Sequence, residues 1–308
     1  MQAVCIGECM AELRQADQGL YALGFAGDAY NAAVYLKRSA PQVHVNFLTA
    51  TGESTLSRAM REHFAAEGVE DALAFIAKDR EIGLYMIELD AAGERRFHYW
   101  RSASAARCWL QLLMQNGGAA RLAGTDLVCL SGVSLAILPD DAARTAAIEL
   151  FGSLKDRVGK IAFDTNLRPS LWRNLDAARA AIAPMIRIAD VFRASAEDAA
   201  LLTGAREPET QIGALRAGGA HEIVLTLGAE GCIVATKDGA AALPAFAVEV
   251  KDTSGAGDAF TGAYLAARLS GAAPVDAAAA ALKVASRVVT YPGAIAPREI
   301  SHPEARRC

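Results

Sequence analysis

The chain of 308 residues predicts a three-layer α/β/α fold with a mostly parallel central sheet and a small β-sheet lid. Short apolar runs alternate with longer Ala-rich segments of helical period, the pattern of a parallel sheet covered on both faces. One stretch breaks that alternation. Residues 82–101, IGLYMIELDAAGERRFHYWR, hold two period-two segments joined by a short turn from Asp90 to Gly93, which predicts an antiparallel hairpin. A hydrophobic content of 53% with 21% charged residues supplies a well-filled core, and the length suits one large α/β domain over 1–308 or two small ones.

The elements follow in chain order from these two periods. AVCIG from Ala3 is the first apolar run. AELRQADQGLYALGF comes next and joins the hairpin in a second small sheet, so the lid takes in about 9–26 and 82–103, a flap over a substrate. A helix begins near Asp28. VHVNFLTA from Val43 is a strand, followed by a helix near Thr55. Beyond the hairpin come DLVCLSG from Asp126 and a helix near Asp140, then KIAFDTN from Lys160 and a helix near Asp176. DVFRAS from Asp190, a helix near Glu209 and EIVLTLG from Glu222 complete the alternation. The Ala-rich run from Ala272 is helical with Pro274 near its start, and HPEARRC at the end reads as a frayed tail.

Composition excludes several classes. With 31 Lys and Arg against 35 Asp and Glu, the net charge of -4 does not advertise a nucleic-acid partner, so an anionic ligand must be held by local charges. MQAVCIGECMAEL has no basic leader and meets Glu8 and Glu12 too early for a signal peptide. No apolar run reaches the length of a membrane span, and a cytoplasmic location is expected. Six cysteines show neither C-x-x-C pairs nor zinc spacing, which suits small buried hydrophobes in a reducing compartment, with Cys308 exposed at the terminus.

The chemistry concentrates in KDTSGAGDAFTGAY, Lys251 to Tyr264. Gly255, Ala256 and Gly257 stand at a loop-to-helix junction, where free backbone N–H groups can face an anion. Asp258 follows at once, close enough to take a proton from an attacking hydroxyl. The two glycines could equally make a tight turn before a helix. The longer string resembles the C-terminal signature of the ribokinase-like (PfkB) carbohydrate kinases, which implies that Gly255, Ala256 and Gly257 are anion-hole donors and Asp258 the catalytic base. Upstream, LGFAGDAYNAAVYLKR resembles the first signature of that family and implies that Gly27, Asp28 and Asn31 bind sugar hydroxyls. Read from the residues alone, Asp28 could be only an N-cap. The family usually has two adjacent glycines where this chain has Ala26 and Gly27.

Two arginines bear on the substrate. In the hairpin, Tyr85, Tyr99 and Arg101 share one face if the register allows, either as a cross-strand aromatic patch or as a carboxylate site. Arg168, in KIAFDTNLRPSLW with Asp164 and Asn166, lies where an open α/β sheet opens its ligand crevice, or else braces the turn before Pro169. Two arginines converging on one site point to an acidic sugar. GFAGDAYN, GERRFHYWR, LSGVSLAIL, DTNLRPSLW and DTSGAGDAFTGAYLA together resemble the branch of the family that acts on 2-keto-3-deoxygluconate. The resemblance implies that Tyr85, Tyr99, Arg101 and Arg168 contact the keto-acid and that Asp258 faces its terminal hydroxyl. Leu167 stands where the family often has Tyr.

The nucleotide end departs further from the family. EIVLTLGAEGC resembles the strand and glycine turn beside ATP, implying contacts at Thr226, Gly228 and Gly231, with Thr226 and Leu227 where close relatives have Lys-Arg. A direct basic contact to the nucleotide phosphates is not expected there. FRASAEDAALLTG aligns with an N-x-x-E element that orders magnesium through water; Ser195 and Asp198 occupy those places, and Ser195 reads equally as a helix cap. The implied cofactors are ATP and Mg2+, with a monovalent cation as a further candidate, and the implied activity is phosphorylation of 2-keto-3-deoxygluconate. The rivals are a neutral-sugar kinase such as a fructokinase, or a non-catalytic sugar sensor on the same fold. A dinucleotide-binding dehydrogenase is poorer, since AVCIGE is not followed by G-x-G-x-x-G. An apolar flap sheet and the family resemblance point to a homodimer or higher homo-oligomer through the lid.

Overall fold

The computed structural model describes residues 1–16, 19–89 and 95–302, with the side chains of Leu89 and Arg95 left aside. The expected turn at Asp90 to Gly93, most of the expected frayed tail and Cys308 lie outside these residues.

Nine strands form the main sheet: β1 (Gln2–Ile6), β4 (His44–Thr51), β5 (Ala74–Ile76), β8 (Leu127–Ser131), β9 (Ile161–Asp164), β10 (Val191–Ser195), β11 (Glu222–Thr226), β12 (Cys232–Thr236) and β13 (Gly239–Leu243). Their order is β13-β12-β11-β10-β9-β8-β1-β4-β5. Every pairing from β11 to β5 is parallel, and the β11–β12 and β12–β13 pairings are antiparallel. The sequence reading missed β5, β12 and β13. β5 is three residues long, too short to show a period, and Gly239–Leu243, GAAAL, carries no alternation at all.

Successive residues of a strand face opposite layers, and β1 shows the consequence. Ala3 and Cys5 enter one core with Tyr30, Tyr35, Phe47 and Tyr264. Val4 and Ile6 enter the other with Trp109, Phe151, Phe163 and Phe192. The first layer holds α1 (Asp28–Ser39), α2 (Thr55–Glu67), α9 (Ala256–Leu269) and α10 (Pro274–Val288). The second holds α3 (Trp109–Gln115), α4 (Gly132–Ala136), α5 (Asp141–Leu154), α6 (Leu175–Ile188), α7 (Ala196–Thr203) and α8 (Pro208–Ala217), and α11 (Arg298–Ser301) ends the described chain. Helix starts follow ordinary capping chemistry: the Ser54, Asp140 and Asn174 side chains each accept an amide of the first turn, and Pro208 and Pro274 open α8 and α10.

The second sheet has the order β3-β2-β6-β7, from β2 (Met10–Gln15), β3 (Tyr21–Ala26), β6 (Gly83–Leu89) and β7 (Arg95–Trp100). β6 and β7 are antiparallel, as the period-two segments predict, and β2 bridges the two hairpins by pairing parallel to β6. Met10, Ala26, Tyr85 and Ile87 pack with Ala294 in a small core of their own. Cys5, Cys9, Cys129 and Cys232 are buried free thiols, as expected. Among the described residues no helix is long and apolar enough to cross a membrane.

Candidate active site

The N-terminus of α9 lies beside the carboxyl ends of the parallel strands, the usual place for a ligand crevice in an open α/β sheet. Gly255 caps the helix at φ 71°, and a Cβ there would stand 2.4 Å from the Ala294 carbonyl oxygen. Both the left-handed backbone and the space require glycine. The first α-helical bond runs from the Ala259 N–H to the Gly255 carbonyl, so the amides of Gly257 and Asp258 stand ahead of the helical ladder.

Asp258, in the first turn, accepts a hydrogen bond from Asn31 Nδ2 at 2.8 Å. Its pKa is raised from 3.8 to about 7. Burial is the main cause and the Asp28 and Asp164 carboxylates add to it, against the Asn31 hydrogen bond and the Arg168 charge. A carboxyl poised near neutrality suits a general base.

Asn31 meets Asp258 because α1 and α9 touch backbone to backbone. A Cβ on Gly262 would stand 2.3 Å from the Ala32 carbonyl oxygen, so a side chain there would push the helices apart. One turn earlier on each helix lie Asp258 and Asp28. The Tyr35 hydroxyl donates to the Ala294 carbonyl (3.0 Å) and accepts from the Ala296 amide (2.9 Å), tying α1 to the loop that packs on Gly255.

Gly27 caps α1 at φ 173°, an extended conformation open to any residue; what it needs is space, since a Cβ would stand 2.1 Å from the Glu8 carbonyl oxygen. The reading of Asp28 as an N-cap is corrected. Asp28 is the first helical residue and makes no cap; its carboxylate instead accepts from the Ser131 hydroxyl and from Asn166 Nδ2 (3.0 Å), which leaves it at the mouth of the strands.

At the end of β9 the backbone is strained. Asn166 and Arg168 are the non-glycine residues with positive φ among those described, 25° and 46°, a conformation that concentrates at functional sites. Arg168 is exposed there. Leu167 is fully buried, its N–H bonded to Asp198 (3.1 Å) and its carbonyl to Trp172 Nε1 (2.7 Å), so it is part of the core rather than the crevice.

Ser195 caps α7, its hydroxyl accepting from the Asp198 amide (3.1 Å), which agrees with the capping alternative. Asp198 accepts from the Thr165 hydroxyl as well as from Leu167; burial raises its pKa and these two donors oppose the rise. Gly228 (φ 58°) has open space around it, whereas Gly231 (φ 107°) is explained by the chain itself, since a Cβ would stand 2.0 Å from the Leu243 carbonyl oxygen.

Between these groups lies Arg193, which the sequence reading did not single out. Its Nη1 binds Asp164 at 2.9 Å and its Nη2 binds Thr226 Oγ1 at 2.8 Å. The other Asp164 oxygen accepts from the Thr261 hydroxyl of α9 (2.8 Å). Burial pulls the Arg193 pKa down, but Asp164, with Asp198 and Asp258 behind it, outweighs burial and raises it, so the guanidinium stays charged.

On the small sheet, Tyr85 and Tyr99 are direct cross-strand partners with ring centroids 5.8 Å apart, which places them on one face. Arg101 lies just past the end of β7 with its guanidinium 5.9 Å from the Tyr99 ring centroid. It is already paired with Glu8, which is 1% exposed and whose pKa is raised by burial against the opposing Arg101 charge. Tyr85 donates to Glu12, and Glu12 pairs with Arg14 at 2.8 Å. The sequence reading used Glu8 and Glu12 only to exclude a leader peptide. Their signal as site residues was two acids flanking an otherwise apolar segment.

The catalytic candidates and the α1 candidates therefore converge, with Arg168 beside them. Tyr85, Tyr99 and Arg101 belong to the small sheet, Tyr85 largely buried and Tyr99 exposed.

A model of the "pfkB family carbohydrate kinase" matches residues 2–301. The chain is 37% identical over 301 residues to the 2-dehydro-3-deoxygluconokinase of Dickeya dadantii (strain 3937), and 36% identical over 300 residues to that of Escherichia coli (strain K12); each alignment covers 96% of both chains. Among solved structures, aminoimidazole riboside kinase from Salmonella enterica, complexed with aminoimidazole riboside and an ATP analogue, superposes with a TM-score of 0.83 at 24% identity, covering 97% of this chain and 98% of that one. That likeness shows the fold.

Proposed function

The chain belongs to the pfkB family of carbohydrate kinases, and from that premise we propose that it transfers the terminal phosphate of ATP to the end hydroxyl of 2-keto-3-deoxygluconate, giving the 6-phospho product. The observation that carries the reading is Asp258 at the head of α9: a carboxyl with pKa near 7, oriented by Asn31, beside amides that precede the helical ladder. The names of the 37% and 36% identical relatives support the substrate.

The residues present fit a nucleotide. Unladdered amides at a helix N-terminus suit a phosphate, and the open space around Gly228 admits a ligand close to the backbone. Kinases of this family use ATP with a divalent metal. Such a metal would be carried on the nucleotide's own oxygens, with Asp198 reaching it through water. Bound ATP and its metal supply the electrophilic phosphoryl group and neutralise its oxygens.

Asp258 accepts the hydroxyl proton, and Asn31 keeps the carboxylate turned toward the crevice. The Gly257 and Asp258 amides, at the positive end of α9, stabilise charge on the transferring group. Arg168 and Arg101 hold the substrate's carboxylate, and the small sheet acts as a lid that excludes water. The exposed Leu20, Tyr21, Leu23 and Trp100 of that sheet support assembly through it, at least as a dimer.

A neutral-sugar kinase is the second reading. It is favoured by the Glu8–Arg101 pair, which already balances one of the two arginines. ADP release should be measured with 2-keto-3-deoxygluconate, its galactonate epimer, fructose, ribose and adenosine. The keto-acid should be turned over with the highest kcat/KM; a preference for fructose would replace this reading by the second.

A further inference from the structure

The phosphoryl pocket is rich in acid. Asp28, Asp164, Asp198 and Asp258 act on one another electrostatically across the strand ends, and phosphates brought among them meet repulsion unless a cation stands close by. Arg168 is exposed. The half-buried cation is Arg193, and its place is specific: a Cβ built on Gly257 would lie 2.9 Å from Arg193 Nη2 and 3.4 Å from Nη1. The guanidinium is thus directly under the backbone that opens α9.

We propose that Arg193 is the phosphate-directed cation of this site, a positioning and charge-stabilising residue held by Asp164 and Thr226 beneath the α9 amides where the donor's terminal phosphate is bound. The inference rests on the phosphoryl-transfer reading above, though not on the identity of the sugar. Three features carry it.

The fork is fixed from two strands at once, Asp164 on β9 and Thr226 on β11, so its orientation does not depend on a ligand. The Asp164 carboxylate is also bound by Thr261, one turn into α9 from Asp258, so the ion pair, the amides and the base are a single connected unit. Gly257 completes the arrangement, because a side chain there would displace the guanidinium. The cationic end of the pair adds to the positive end of the helix, and low local polarity strengthens both. Thr226 thereby acts through Arg193: the strand end that offers no basic side chain of its own anchors one from its neighbour.

Calorimetric titration with AMP and with the non-hydrolysable triphosphate analogue AMP-PNP, each with Mg2+, tests this without turnover. Arg193→Met should weaken AMP-PNP about tenfold or more, as expected for loss of a charge-assisted contact, and AMP by less than about twofold. Arg193→Lys should recover most of the loss, and Thr226→Val should lose about threefold on AMP-PNP alone. Should Arg193→Met not fold, Arg193→Met combined with Asp164→Asn removes both members of the pair and leaves no lone buried charge; it should still discriminate the two nucleotides by about threefold. Equal losses on AMP and AMP-PNP, or undiminished AMP-PNP binding, overturn the proposal and leave Arg193 a structural brace. Wild-type protein that binds neither nucleotide overturns the phosphoryl-transfer reading itself, and this inference with it.

Discussion

The head of α9 and the small sheet both pack on Ala294, the first through Gly255 and the second through Tyr85 and Ile87, yet they are built differently. At the helix, Gly262 against the Ala32 carbonyl and the Asn31–Asp258 bond are fixed by the packing of α1 on α9, and Gly255 with the amides after it by the Ala294 carbonyl. On the small sheet the candidates are side chains of a β-ribbon, with Phe97, Tyr99 and Trp100 each more than two-fifths exposed and Arg101 held by Glu8. On the proposed function, the reacting groups are thus held by backbone and buried charge, whereas the side chains offered to the substrate's carboxylate stand on a partly exposed ribbon.

The sharpest way to break this division is Asp258→Asn. Turnover should fall about 10²-fold or more, as for loss of a general base, with KM for the sugar little changed. Near-normal kcat in steady-state assays removes Asp258 from the base role.

The mirror-image experiment acts on the two arginines. Arg101→Ala and Arg168→Ala should each raise KM for the keto-acid about tenfold or more, with kcat affected less and with neutral ketohexoses spared. Equal losses on both substrate classes would mean that the arginines brace the crevice rather than bind a carboxylate.

Gly262→Ala asks whether helix packing governs the reacting end. A methyl group 2.3 Å from the Ala32 carbonyl forces α1 away from α9, costing about 1–3 kcal/mol of stability and about tenfold in kcat by loosening Asn31 from Asp258. Chemical denaturation and kinetics measure the two; loss of stability with kcat intact would uncouple them.

The smallest effect is on pH. Because Asp258 must be ionised to act, kcat/KM should rise as pH increases through about 7 and level off above it. Asp28→Asn removes a neighbouring negative charge, so the rise should move to lower pH. Stability runs the other way. The native carboxyl, raised from 3.8 to about 7, binds its proton more tightly than the unfolded chain does, so its contribution is fully present below about pH 4 and is lost as pH rises through 7. Asp258→Asn should abolish that loss, which pH-dependent denaturation would register as a variant more stable than wild type at pH 8.

Much of this was legible in the chain. The loop DTSGAGD, the start of α1 at Asp28 and the antiparallel β6–β7 ribbon emerge where period and turn chemistry place them. Arg193 was not legible because DVFRAS reads as an ordinary strand, and its partners are 29 and 33 residues away. Glu8 was missed for a similar reason, its partner Arg101 standing just past β7, far along the chain. Asp28 was half-legible: its position at the entrance of α1 was right, but its acceptors' donors, Ser131 and Asn166, come from two other strand ends.

Read along the chain, the layers, the turn at Gly255 and Gly257 and Asp258 as candidate base were already visible, since local period, glycine geometry and capping act over a few residues and need no knowledge of the rest. Only the tertiary structure decided what each charge faces. Asp258 acquires a pKa near 7 because burial and two distant aspartates act through space, Arg193 is gripped by Asp164 and Thr226 because β9 and β11 flank its strand, and Arg101 meets Glu8 because the register of β2, β6 and β7 brings the end of β7 near the segment before β2. Electrostatic and steric effects depend on separation in space, which the order of residues along the chain does not record.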